Sequence, residues 1–167
     1  MVLYRLPDDG DTKQRAICTA CQLVHYENPL NVVGTVPSLG DRVLLCKRNI
    51  EPRKGKWTLP AGFMELGEST AEGAARETSE EAGAQFKMGS LFTVMSVPRV
   101  GQVHLYFLAE LENEQFDPGF ETQEARMFSE TEIPWDDLAF RTVQETLKHY
   151  FADKKSGSFG VHTLNID

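Results

Sequence analysis

Gly62-Phe63-Met64-Glu65-Leu66-Gly67-Glu68, then seven residues, then Arg76-Glu77-Thr78-Ser79-Glu80-Glu81-Ala82-Gly83-Ala84 is the stretch that decides the fold of this chain. Ser69 and Glu72 form an S-x-x-E capping box, which predicts a helix starting near Thr70. Gly83 stands where a left-handed C-terminal cap belongs. Between these ends Ala71, Ala74, Ala75, Thr78 and Ala82 recur at helical spacing. A stripe so narrow, of such small side chains, lets a helix lie close against a sheet. Glu77 and Glu81 are one turn apart on one side, with Glu80 beside them. Neighbouring acids repel, which costs stability unless a cation is present. Hard divalent cations such as Mg2+ take oxygen ligands and suit such a cluster. For the acids alone, a solvated helix face is the competing reading.

Working outward, the punctuation divides the chain in three. Residues 1–30 are polar, with turn signals at Pro7-Asp8-Asp9-Gly10 and Asn28-Pro29. A β-rich block follows. Asn31–Pro37 and Arg42–Arg48 read as strands joined by the turn Ser38-Leu39-Gly40-Asp41, and Trp57–Pro60 as a short strand leading into the acidic stretch. Beyond the helix, Gln85–Val97, Gln102–Leu111 and Ala125–Ser129 read as further strands. The tail is helical by spacing from about Leu138 to Phe151, its apolar set being Leu138, Val143, Leu147, Tyr150 and Phe151. Strands flanking two helices indicate an α/β fold.

Composition bounds the function. At 167 residues the chain is one domain with room for a real core. Its net charge of −8 gives no overall attraction for RNA or DNA, so no nucleic-acid partner is expected. Small phosphates remain accessible where metals reverse the local field. No apolar run is long enough for a membrane span, and the N-terminus lacks a signal pattern. Three cysteines, an odd number, argue for a reducing cytoplasm over a disulfide framework.

The acidic stretch resembles the Nudix box, G-x5-E-x7-R-E-U-x-E-E-x-G-U. Its fixed positions are matched by Gly62, Glu68, Arg76, Glu77, Glu80, Glu81 and Gly83, while Thr78 and Ala84 occupy the two loosely hydrophobic ones. The resemblance implies an α/β/α sandwich with a mixed β-sheet, and hydrolysis of a nucleoside diphosphate linked to another group. It implies Mg2+, with Mn2+ as a substitute, held by Glu77, Glu80 and Glu81, with Glu68 across from them. Arg76 would hold a carboxylate, Glu68 or Glu77, by bidentate pairing. Gly62 would let the backbone turn closely into the loop. The general base would be a box glutamate or a glutamate of the later segment Gly119-Phe120-Glu121-Thr122-Gln123-Glu124. There Glu124 resembles a downstream metal-binding acid of many relatives, and Glu121 is the competing base. Arg48 resembles residues near the substrate phosphates, and Phe63 is a candidate for stacking on a base.

Further motifs, Val43–Arg48, Gly55–Phe63 and Glu132–Phe140, are similar to Nudix hydrolases acting on ADP-ribose or FAD. Cys18-Thr19-Ala20-Cys21 resembles the second knuckle of a zinc ribbon preceding some of these domains. A structural zinc needs four ligands. The chain begins at Met1, where the first knuckle should already have ended: either the ribbon has decayed, or the sequence is shortened or its start misplaced, and structural Zn2+ is not expected unless His25 or another subunit completes the set. The expected organisation is an N-terminal arm, residues 1–30, and a Nudix domain, residues 31–167. ADP-sugar hydrolases of the family commonly dimerise, so a homodimer is expected. Alternative readings are NADH or a nucleoside triphosphate as substrate, or a non-catalytic module that binds ADP-ribose.

Overall fold

A computed structural model describes residues 1–167. Val2–Arg5 (β1), Arg15–Cys18 (β2) and Val24–His25 (β3) form a small antiparallel sheet in the order β1-β2-β3. Beyond the zinc-knuckle resemblance of Cys18–Cys21, the residues here signal a polar arm with turns. Turn residues dominate the segment, and strands of two to four residues leave little alternation to detect.

The main sheet contains Leu30–Leu39 (β4), Arg42–Arg48 (β5), Trp57–Thr58 (β6), Ala61–Phe63 (β7), Phe86–Val97 (β8), Gln102–Leu111 (β9), Thr122–Ser129 (β10) and His162–Asn165 (β11). Its order is β10-β5-β4-β9-β8-β11, with β6 on β5 and β7 on β4. β4 runs parallel to β9, and β11 parallel to β8; the other neighbours are antiparallel. The sheet is therefore mixed. Gly40, at φ +60°, makes the tight turn between β4 and β5 that the sequence signals.

Helices Thr70–Ala82 (α1) and Arg141–Ser156 (α2) cover opposite faces. Successive strand residues point to opposite faces, and the burial follows that rule. Leu44, Cys46, Leu111 and Met127 pack with Ala82 at the end of α1, while Val33 and Phe107 pack on its Ala74. Val36, Val43, Leu45, Phe92, Tyr106 and Phe128 pack with Val143, Leu147, Tyr150 and Phe151 of α2. The layers are those of an α/β/α sandwich.

α1 begins and ends as its sequence prescribes: Ser69 and Glu72 close the capping box, and Gly83 is left-handed at φ +59°. α2 starts three residues later than its apolar spacing suggests. The Ala139 N–H donates to the Trp57 carbonyl at 2.8 Å, and Leu138 bridges to Trp57. That pairing holds the chain extended until Phe140. β11 escaped the sequence reading, being four residues added at the sheet edge after Gly157 ends α2.

One feature of the sheet creates a site. β4 and β5 pair only at their turn, through Ser38–Val43 and Leu39–Arg42. Farther along they splay apart, and the segment 57–63 fills the gap, with β6 bonded to β5 and β7 to β4.

Candidate active site

A cleft of about 930 Å³ opens along this splayed region. Box residues Gly62, Phe63, Arg76, Glu77, Glu80 and Glu81 line one side. Arg48 from β5 and Glu121 from the loop before β10 also reach it. Gln102, His104 and Tyr106 of β9 form another wall, with Phe140, Phe120 and the turn at Ile50–Pro52 at its margins.

α1 brings its acids here because its small residues seat it against the sheet. Ala74 and Thr78 are fully buried, and the Thr78 hydroxyl lies 2.7 Å from that of Thr35 on β4. The same face carries Glu81 inward, only 7% exposed. The Ala61 N–H donates to its carboxylate at 3.0 Å. Burial pushes the Glu81 carboxyl up to about 8; the Glu77 and Glu121 charges add to this, while the Ala61 hydrogen bond and Arg48 oppose it. Burial also raises the Glu77 carboxyl, against the pull of Arg76.

Arg76 is the hub. It forks onto Glu68 through Nε (3.1 Å) and Nη2 (2.9 Å). Nη1 donates to Glu77 at 2.7 Å and to Glu80 at 3.2 Å, and Nη2 to the Phe63 carbonyl at 3.2 Å. These pairings, the Glu68 bond first, hold the guanidinium firmly charged. Glu68 also accepts from the Glu65 N–H at 2.6 Å, and its carboxyl is held below the usual carboxylate range chiefly by Arg76. In this arrangement no three acids converge on one point, because one cation draws three of them to itself. The donor set nevertheless fits a hard divalent cation: all its ligands are oxygens, and burial raises two of the carboxyls, Glu77 and Glu81, above the usual carboxylate range.

Gly62 is required by space. Its φ is not among the positive ones, and a Cβ there would lie 2.3 Å from the Glu77 carboxylate. The missing side chain thus lets an acid of α1 approach the strand closely.

Glu124 is not brought to the cleft. It lies within β10, opposite Lys47 beside a register shift, exposed and 4.0 Å from Arg126. The strand starts three residues earlier than expected, at Thr122, so Glu124 falls inside it and Glu121 at its mouth. Glu68 likewise stays behind Arg76, off the cleft wall. Gln102 and His104 belong to no motif in the sequence, but the β9 alternation sets 102, 104 and 106 on one face.

Comparison with known proteins agrees with this geometry. The NUDIX domain model matches residues 29–151, and the zinc-ribbon model described as Nudix N-terminal matches residues 2–27. The crystal structure of a NUDIX hydrolase from Nitrosomonas europaea is similar at TM-score 0.91 and 47% identity, covering 99% of this chain and 94% of that one. An ADP-ribose pyrophosphatase of Methanocaldococcus jannaschii is 32% identical over 113 residues, covering 65% of this chain and 67% of the relative. An NAD-capped RNA hydrolase, NudC, of Vibrio parahaemolyticus is 25% identical over 141 residues, and the match spans 54% of that relative's length. With the family model covering most of its length and Glu77, Glu80 and Glu81 of the box gathered in one cleft, the chain belongs to the Nudix family of hydrolases.

Proposed function

We propose that this protein hydrolyses the pyrophosphate bond of ADP-ribose or FAD, releasing AMP. The observation that carries the reading is the set Glu77, Glu80, Glu81 and Glu121 lining a cleft roomy enough for a dinucleotide-sized ligand. Glu77, Glu80 and Glu81 would hold Mg2+. When bound, Mg2+ neutralises the phosphates and lowers the pKa of a coordinated water.

The chain's own residues do the rest. Arg76 fixes the orientation of the acids, and Arg48 offers positive charge to the phosphates. The position of Glu121 on the cleft wall favours it over Glu124 as general base. Splitting the bond between the two phosphorus atoms would leave ribose 5-phosphate or FMN beside AMP. The name of the archaeal relative supports ADP-ribose. The bacterial relative's name keeps an NAD-type substrate as the second reading.

We read residues 1–30 as an arm and 31–167 as the catalytic domain. Cys18 and Cys21 supply two of the four ligands a structural zinc needs, and no third His, Cys, Asp or Glu joins them. A zinc there would require ligands from elsewhere, so Mg2+ is the metal of this reading. The arm's half-exposed Val2, Leu3, Tyr4 and Leu6 support a homodimer that covers them.

A panel of ADP-ribose, FAD, NADH and nucleoside triphosphates, with Mg2+ or Mn2+ and AMP release as readout, tests the substrate. The expected result is fastest turnover of ADP-ribose or FAD. Much faster cleavage of triphosphates would overturn it and leave the acid assignment standing.

A further inference from the structure

The β9 wall of the cleft carries one buried polar atom that the hydrolytic chemistry does not use. His104 pairs in register with Val32 of β4, and Val32 pairs with Phe63 of β7. Residues paired this way share a sheet face. The three therefore form a row across the cleft floor, with imidazole, branched alkyl group and aromatic ring side by side. Two strand spacings, about 10 Å, separate His104 from the β7 backbone on which Glu81 is bonded.

The imidazole is only 8% exposed. Its Nε2 lies 2.9 Å from the Gln102 Oε1. An amide oxygen only accepts, so Nε2 carries the proton and donates. Nδ1 is then a bare lone pair, and it is buried with no partner in the protein. Burial holds the ring's pKa down to about 4, so at neutral pH the lone pair stays free. Buried polar atoms without partners are few in native proteins and need an explanation. Here the atom belongs to a residue of the cleft wall, across Val32 from the half-exposed ring of Phe63.

We propose that His104 Nδ1 accepts a hydrogen bond from the exocyclic amine of an adenine-type base, with Phe63 as its stacking face, so that the cleft selects amino-bearing bases. The proposal rests on the pyrophosphatase reading above and names the base that reading would favour. A planar base suits the row better than a ribose hydroxyl, because the neighbours of the acceptor are an apolar side chain and a flat ring. Gln102 acts through His104: by accepting from Nε2 it fixes the tautomer that leaves Nδ1 an acceptor. A site built around a buried acceptor rejects ligands that leave it unpaired.

The test compares AMP with purine riboside 5′-monophosphate, which is AMP without its amine, by titration calorimetry. Wild type is expected to bind AMP tenfold to a hundredfold more tightly. His104→Phe should bind both nucleotides equally, at the weaker level. Gln102→Ala, at a less buried position, should narrow the gap while keeping the wild-type melting temperature; it serves if His104→Phe does not fold. Equal binding of the two nucleotides by wild type, any discrimination in a folded His104→Phe, an undiminished gap in Gln102→Ala, or no binding of AMP overturns the proposal. Hydrolysis of ADP-ribose and of its des-amino analogue is followed in parallel. Equal kcat/KM for the two sinks the base subsite alone, whereas hydrolysis of neither sinks the pyrophosphatase reading.

Discussion

Glu81 combines almost complete burial with an acidic function, and the two requirements oppose each other. Without a cation its carboxyl holds a proton to a pH of about 8, because burial penalises the charge. Glu81→Gln removes that penalty and keeps an oxygen for the Ala61 N–H. In EDTA at neutral pH the variant should therefore be more stable, on the order of 1–3 kcal/mol, while turnover with saturating Mg2+ falls by several orders of magnitude. Calorimetric melting and an AMP-release assay check the two halves, and full activity would remove Glu81 from the metal set. His104 shows the opposite titration. Its folded pKa, about 4, lies below the 6.5 usual for an imidazole. The unfolded chain takes up a proton as pH falls through 6.5, and the native ring resists until about 4. Stability is thus intact above 6.5 and lost between 6.5 and 4, by on the order of 2–3 kcal/mol. Urea unfolding across that window should show a decline that His104→Phe reduces; an identical decline in the variant would refute the assignment.

At the scale of elements, α1 is positioned by what its buried face lacks. Ala74 packs on Val33 and Phe107, and the Thr78–Thr35 hydroxyl contact fixes its register along β4. An added methylene in such a seat forces backbone shifts costing about 1–3 kcal/mol. Ala74→Leu adds three carbons, so it should destabilise by at least that amount. It should also cut kcat by moving Glu77 and Glu81 together, although it touches neither the cleft nor a ligand. Denaturant melts with parallel kinetics test this, and unchanged kcat in a folded Ala74→Leu protein would show that the helix seat does not set the site. The helix and its caps were legible because capping chemistry is local: Ser69, Glu72 and Gly83 act within a few residues of one another. The start of α2 was not, because Leu138 and Ala139 are held extended by Trp57, some eighty residues away in the chain.

Across the whole molecule, one edge of the fold is unfinished. The three-stranded sheet exposes large apolar residues on β1, and β1 itself is a free edge. A second copy covering that edge would remove both liabilities and suits a C2 arrangement. Light scattering is expected to show a dimer that Leu3→Glu with Tyr4→Glu dissociates; a strict monomer would refute the assembly. By itself the sequence determined the chemistry class and the α/β alternation, since both rest on short-range spacing: the acids of one helix, its caps, and strands with clear alternation. Only the tertiary structure decided the site's shape. The splaying of β4 from β5 opens the cleft, the register of β9 against β4 and β7 brings His104 into line with Phe63, and the early start of β10 leaves Glu121 in the cleft and Glu124 outside it. These depend on pairing between strands far apart in the chain, where a shift of one residue turns every side chain to the opposite face.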